Sequence, residues 1–196
     1  MNSPIERHPL QPFLPDGARV LLLGSFPPKH ERWSMEFYYP NFQNDMWRIV
    51  GYLATGDRQH FVDASGRRFD RERIIRFCTA HGIALYDTAT AVRRLKDNAS
   101  DKFLEVVEPT DVAALLRRIP ACRAVAVTGE KAAETVLLSL GGHAGRYPKV
   151  GESVAFAFEG RAMQLWRMPS SSRAYPLAIG QKAEHYGRMF AATGLL

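Results

Sequence analysis

The run Val20-Leu21-Leu22-Leu23 is continuously apolar and stops at Gly24-Ser25-Phe26-Pro27-Pro28. A strand covered on both faces need not alternate, so Arg19 to Leu23 reads as a buried strand of a parallel sheet. Ile83-Ala84-Leu85-Tyr86, ending in Asp87, and Ala124 to Val127 have the same character. Between them the apolar period lengthens to that of helices. Met46, Trp47, Val50 and Leu53 share one face of a helix that Asn44 or Asp45 caps and that runs to about Ala54. Ile74, Ile75, Phe77 and Cys78 mark the inner face of a second helix, which starts at Asp70 and stops at Gly82. A third spans Asp111 to Ile119 with Thr110 as its cap, and a fourth opens at Gly129 and runs through Leu140. Val154 to Phe158 and Arg161 to Trp166 form a hairpin about Glu159-Gly160. A last helix covers Ile179 to Thr193.

Strands alternating with helices predict an α/β fold, a three-layer α/β/α sandwich with a short, mostly parallel central sheet. Residues 1–18, which hold Pro4, Pro9, Pro12 and Pro15, read as an extended arm, packed on the domain or partly disordered. Residues 19–196 read as one domain. Residues 55–69 read as a loop. So does the stretch holding Arg93, Arg94, Lys96, Asp97, Asn98, Ser100, Asp101 and Lys102.

Composition narrows the chemistry. Of 196 residues 46% are hydrophobic, enough for a sizeable core, and the net charge of +6 suits an anionic partner such as nucleic acid. Two cysteines, Cys78 and Cys122, are too few for a four-cysteine cluster. The scattered histidines have no metal spacing. No apolar run approaches the length of a membrane helix and no signal-peptide core is present, so the expected compartment is the cytoplasm. A Walker loop, a Gly-x-Gly-x-x-Gly turn and a Gly-x-Ser-x-Gly elbow are all absent.

Three strand ends carry candidate chemistry. Gly24-Ser25 leads into Phe37-Tyr38-Tyr39-Pro40-Asn41-Phe42-Gln43-Asn44-Asp45-Met46-Trp47, an aromatic and amide-rich loop that either packs over the core or stacks on a flat ligand. Asp87 ends another strand, as a loop cap or as a polar reader. Pro169-Ser170-Ser171-Ser172-Arg173 is a helix-entry turn or a phosphate grip. Arg93, Arg94 and Lys96 make a solvated face or a phosphate contact. In a parallel sheet these ends converge on one edge, where open α/β sheets bind ligands.

Gly24-Ser25-Phe26-Pro27-Pro28, Tyr38-Tyr39 and Asn44-Asp45-Met46-Trp47 resemble the first motif of the uracil-DNA glycosylase superfamily, above all its hypoxanthine-DNA glycosylase-like branch. Gly82 to Asp87, Ser100-Asp101, Thr128 to Ala133 and Met168 to Ser172 are similar to further motifs of that branch, in the same order. Lys182 and Tyr186 sit where the branch has a lysine and an aromatic. The resemblance implies a cofactor-free, metal-free monomer that removes a deaminated base, uracil or hypoxanthine, from DNA. It implies Asn44 as the water-positioning residue, with Asp87 as its backup. Gly24, Ser25, Phe26 and Tyr39 would bind the base, and Ser170, Ser171, Ser172, Arg173 and Lys182 would bind DNA. Better-known branches carry Asp or Asn where this chain has Phe26, which cannot position water. A lesion-binding protein without catalysis, or an enzyme on free nucleosides, would share much of this pattern.

Overall fold

The computed structural model describes residues 3–95, 103–139 and 148–196. Its centre is a five-stranded sheet built from β2 (Val20–Gly24), β3 (Ile83–Asp87), β6 (Ala124–Thr128), β7 (Ser153–Phe158) and β8 (Arg161–Met168). The order across the sheet is β3-β2-β6-β8-β7. The first four strands are mutually parallel, and β7 closes the edge antiparallel to β8. All residues of β2, β3 and β6 are buried, which is why their sequences run apolar without alternating. The hairpin turns at Glu159 (φ 47) and Gly160 (φ 78), two consecutive left-handed residues, the twist that a two-residue hairpin requires.

Helices α1 (Met46–Thr55), α2 (Arg71–His81), α4 (Glu130–Ser139) and α5 (Ile179–Thr193) fall where the apolar spacing puts them. Asp70 caps α2 by accepting the Arg73 N–H, and Gly82 (φ 69) ends it. For α3 (Val112–Arg118) the expected cap is displaced by one residue. Asp111 accepts the Ala114 N–H, while the Thr110 hydroxyl donates 2.7 Å to the carbonyl of Asp87. Thr110 thus anchors the end of a strand.

The second correction is larger. Arg93 and Arg94 lie in a strand, β4 (Ala89–Arg94), and β5 (Leu104–Pro109) follows it. With β1 (Ile5–Arg7) they form an antiparallel sheet in the order β1-β4-β5. Arg94 is buried: its Nε donates to both carboxylate oxygens of Glu6, and its guanidinium reaches the Pro27 carbonyl at 2.7 Å. Arg93 pairs with Glu105. Arg94 is therefore not part of a solvated face: it clamps Glu6 to the Pro27 loop and also lines the pocket between the strand ends. Lys96, Asp97, Asn98, Ser100, Asp101, Lys102 and Leu140 lie outside the described residues. The N-terminal arm is extended and packed: β1 pairs with β4, the His8 N–H donates to the Thr90 carbonyl, and Phe13 bridges to Leu85.

Cys78 and Cys122 are both fully buried thiols, and burial pushes both pKa values up. Neither is expected to react with an aromatic disulfide reagent in native buffer. Both should react at once when denaturant unfolds the protein, which a thiol titration along an unfolding curve checks. Among the described residues no helix is long and apolar enough to cross a membrane.

Candidate functional site

The marked strand ends do meet. Gly24 pairs directly with Asp87 across β2 and β3, and Thr128 with Met168 across β6 and β8. Above them lies a pocket of about 130 Å³ lined by Gly24, Ser25, Phe26, Tyr39, Asn44 and Asp87 on one side and Thr128 and Ser170 to Ser172 on the other. A cavity of about 150 Å³ holds a benzene ring, so this one is on the scale of a single flat ring.

The aromatic loop that roofs the pocket is fixed by its own polar contacts. Trp47, buried at the start of α1, donates its indole N–H to the Tyr38 carbonyl at 2.9 Å. Arg48 lies over the Phe42 and Phe69 rings and donates to the Phe42 carbonyl at 2.7 Å. Burial, and Arg173 nearby, lower the pKa of that guanidinium. Both the backbone and the hydroxyl of Ser34 donate to the Pro40 carbonyl. Held between these anchors, Tyr39 takes a left-handed conformation (φ 51) that a tyrosine adopts only under constraint. Its ring packs edge-on to Trp47 and its hydroxyl lies 3.1 Å from the Thr128 hydroxyl. The Thr128 hydroxyl also lies within hydrogen-bond reach of the Leu23 carbonyl, at 3.3 Å.

Asn44 lines the pocket, and its side-chain oxygen accepts the Met46 N–H at 2.9 Å. That contact closes an Asx turn just ahead of α1, whose N-cap is Asp45, and it leaves the Asn44 amide N–H₂ and a second lone pair for a ligand or water. Asp45 turns the other way. One carboxylate oxygen takes the Arg173 Nε at 3.0 Å and the other takes Lys182 Nζ at 3.1 Å. Lys182 also donates to the Ser172 carbonyl at 2.7 Å, and the Asp45 N–H donates to the Ser171 carbonyl. At 1% exposure, held by Asp45 and Ser172, Lys182 is sealed from solvent and so from DNA. The expectation of a phosphate contact is replaced by that of a buried brace between α1, the serine turn and α5. Tyr186 does likewise, donating to the Pro169 carbonyl from a fully buried position.

The serine turn divides its tasks. The Ser170 hydroxyl accepts the Ser172 N–H, and that of Ser172 accepts the Ala174 N–H. Ser171 is buried against the pocket. The Arg173 side chain stays 51% exposed even while paired with Asp45, so it is the cation of this group that reaches solvent. Phe26 lines the pocket but packs in a small apolar cluster with Ala89, Val92 and Leu104.

Leu10, which lines the pocket, and His8, which backs Asp87 from behind that lining, went unnoticed in the sequence. The imidazole Nε2 of His8 lies 2.9 Å from Asp87 Oδ2, and its side chain is 2% exposed. No spacing or periodicity marks His8, because the contact joins positions 79 residues apart. Thr128 was legible only as part of a motif.

No family model matches the chain. The chain is 27% identical over 121 residues to the hypoxanthine DNA glycosylase of Methanosarcina acetivorans, a match that takes in 62% of this chain and 70% of that one. A solution NMR structure from Methanosarcina acetivorans, of a protein described as a candidate uracil DNA glycosylase, matches with a TM-score of 0.64 at 22% identity. That match covers 97% of this chain and 99% of the other, so the whole described fold is shared.

Proposed function

We propose that this protein belongs to the uracil-DNA glycosylase superfamily, on the side of its hypoxanthine-like branch, and is a DNA glycosylase that hydrolyses the N-glycosidic bond of a deaminated base. Uracil and hypoxanthine are the bases proposed. The observation that carries the reading is the convergence of Tyr39, Asn44 and Asp87 on one ring-sized pocket at the carboxyl edge of the sheet.

Flipping the base out of the stack costs about a few kcal/mol, and stacking on an aromatic such as Tyr39 returns ~1–3 kcal/mol. Gly24 and Ser25 let backbone approach the base. Asp87 accepts a hydrogen bond from the base edge. Ser170 to Ser172, with Arg173, hold the phosphates beside the lesion, Arg173 supplying the charge. As the glycosidic bond breaks, positive charge develops on the sugar and negative charge on the base. Asn44 orients the attacking water, and Asp87 stands beside it as the one carboxylate lining the pocket among the described residues.

Purified protein incubated with duplexes carrying uracil or hypoxanthine, then treated with alkali, should give strand breaks at the lesion. A folded protein that breaks none of them refutes the reading. A second reading, lesion binding without turnover, is favoured by the burial of Phe26 where an acid would activate water. Tight, salt-sensitive binding without abasic product would establish it.

Asn44→Ala separates chemistry from folding poorly, because it also removes the hydrogen bond to the Met46 N–H, worth about 1 kcal/mol. Asn44→Ser keeps an oxygen for the Met46 N–H and loses the amide. We expect its stability to stay near wild type while single-turnover excision falls about a hundredfold, to the level of Asn44→Ala. Excision by Asn44→Ser at the wild-type rate would remove Asn44 from the chemistry.

A further inference from the structure

We propose that His8, delivered by the N-terminal arm, is a positioning residue that sets Asp87 as a fixed hydrogen-bond acceptor facing the pocket. It is thereby a determinant of specificity for bases that present a ring N–H. The inference rests on the base-binding reading of the pocket.

His8 is held from three directions. Its backbone N–H is tied to Thr90, directly after the β1–β4 pairing. Glu6, two residues earlier, is locked to Arg94, which in turn holds the Pro27 carbonyl of the pocket loop. Its ring is packed among Phe26, Tyr38 and Tyr86, with centroids at 5.3, 6.2 and 4.7 Å. In this apolar setting the ring finds polar partners at its two nitrogens. Nδ1 meets the backbone of Leu10, with the N–H at 3.1 Å and the carbonyl at 2.9 Å. Nε2 meets Asp87 Oδ2 at 2.9 Å. Hydrogen on Nε2 lets the ring donate to the carboxylate, while Nδ1 stays held at the Leu10 backbone.

That contact divides the carboxylate. Oδ2 is committed to His8. Oδ1 lies over Gly24, so close that a Cβ there would stand 2.4 Å from it, and among the described residues nothing donates to it. A carboxylate pinned by one oxygen presents the other as an acceptor in a set direction. Deamination is the change that such an acceptor detects. Adenine and cytosine present a bare ring nitrogen, whose lone pair would face the carboxylate. Hypoxanthine presents N1–H and uracil N3–H at the corresponding edge. A buried polar group left without its partner rejects the wrong ligand more strongly than missing apolar contact does.

The test is equilibrium binding, so that it does not depend on turnover. Duplexes carry 2′-fluoro nucleotides of hypoxanthine or uracil, which resist cleavage, or an abasic analogue with no base to read. His8→Gln places an amide N–H₂ near the position of Nε2. His8→Asn reaches only the position of Nδ1, keeping the Leu10 contact and losing that to Asp87. The wild type and His8→Gln should prefer the lesion duplexes to the abasic one. His8→Asn should lose about tenfold or more of that preference while binding the abasic duplex as the wild type does. His8→Leu, which offers no donor, should match His8→Asn. A purely structural role would weaken abasic binding equally and would not be rescued by Gln. Retained preference in His8→Asn, loss in His8→Gln, or no preference in the wild type overturns the inference. Failure of the excision reading shows separately, as lesion preference in a wild type that releases no base.

Discussion

Asp45→Ala should be among the most destabilising single substitutions in this protein, costing about 3–5 kcal/mol. The reason is what it leaves behind. Lys182 is buried, and its ammonium has Asp45 Oδ2 and the Ser172 carbonyl as its partners. Removing the carboxylate strands that charge away from water, and it also releases Arg173 and a tie between α1 and the serine turn. For a chain of this length each kcal/mol is about 2–4 °C of Tm, so thermal and denaturant unfolding both have the range to see it. The double variant Asp45→Leu/Lys182→Met should recover most of the loss, because a buried pair replaced by apolar groups of similar size is often neutral. Recovery of stability without recovery of lesion binding would show that the brace positions the serine turn. A loss below about 1 kcal/mol in Asp45→Ala would mean that Lys182 finds another partner or reaches solvent.

Lys182 also shows where the sequence was legible and was misread. It shares a stripe with Ala183, Tyr186, Met189 and Phe190, all buried, at the i, i+4, i+7 spacing of one helix face. The apolar period places Lys182 inside, and a lysine inside demands an acid, which Asp45 supplies from far along the chain. Reading the lysine by its charge alone sends it to DNA. The parallel strands and four of the helices were legible for the opposite reason. Their signals are local: a continuous apolar run, a 3.6-residue period, a capping Asp70, a terminating Gly82.

The antiparallel sheet had no such signal. Ala89 to Arg94 is short, contains two arginines, and pairs with an arm from the far end of the chain. Its partners Glu6 and Glu105 neutralise those arginines only once the fold has formed. His8 belongs to the same class, since its meaning comes entirely from Asp87. The site was therefore visible where motifs lie along single strand ends, and invisible where a distant segment completes them.

Gly24→Ala should damage function far more than stability. Gly24 does not have a positive φ, so the backbone accepts alanine without strain. The difficulty is spatial. The new methyl would lie 2.4 Å from Asp87 Oδ1 and 3.5 Å from the Tyr39 hydroxyl. Strands β2 and β3 are paired through this position, Gly24 to Asp87, so the backbones cannot part without breaking the ladder. The carboxylate is the movable element, and to clear the methyl it must rotate away from its place over Gly24 and strain its contact with His8. A displacement of about 1 Å at a reacting centre costs on the order of a hundredfold in rate, and that is the loss expected in single-turnover excision. Overpacking of this kind costs stability about 1–3 kcal/mol, which leaves the variant folded and measurable. The double variant Gly24→Ala/Asp87→Ala makes the cause visible. If the methyl acts by evicting the carboxylate, Gly24→Ala adds almost nothing once Asp87 is alanine, and the two effects fail to add. If the methyl instead blocks the base, the effects add fully, and Gly24 serves as the floor of the pocket with Asp87 acting independently of it.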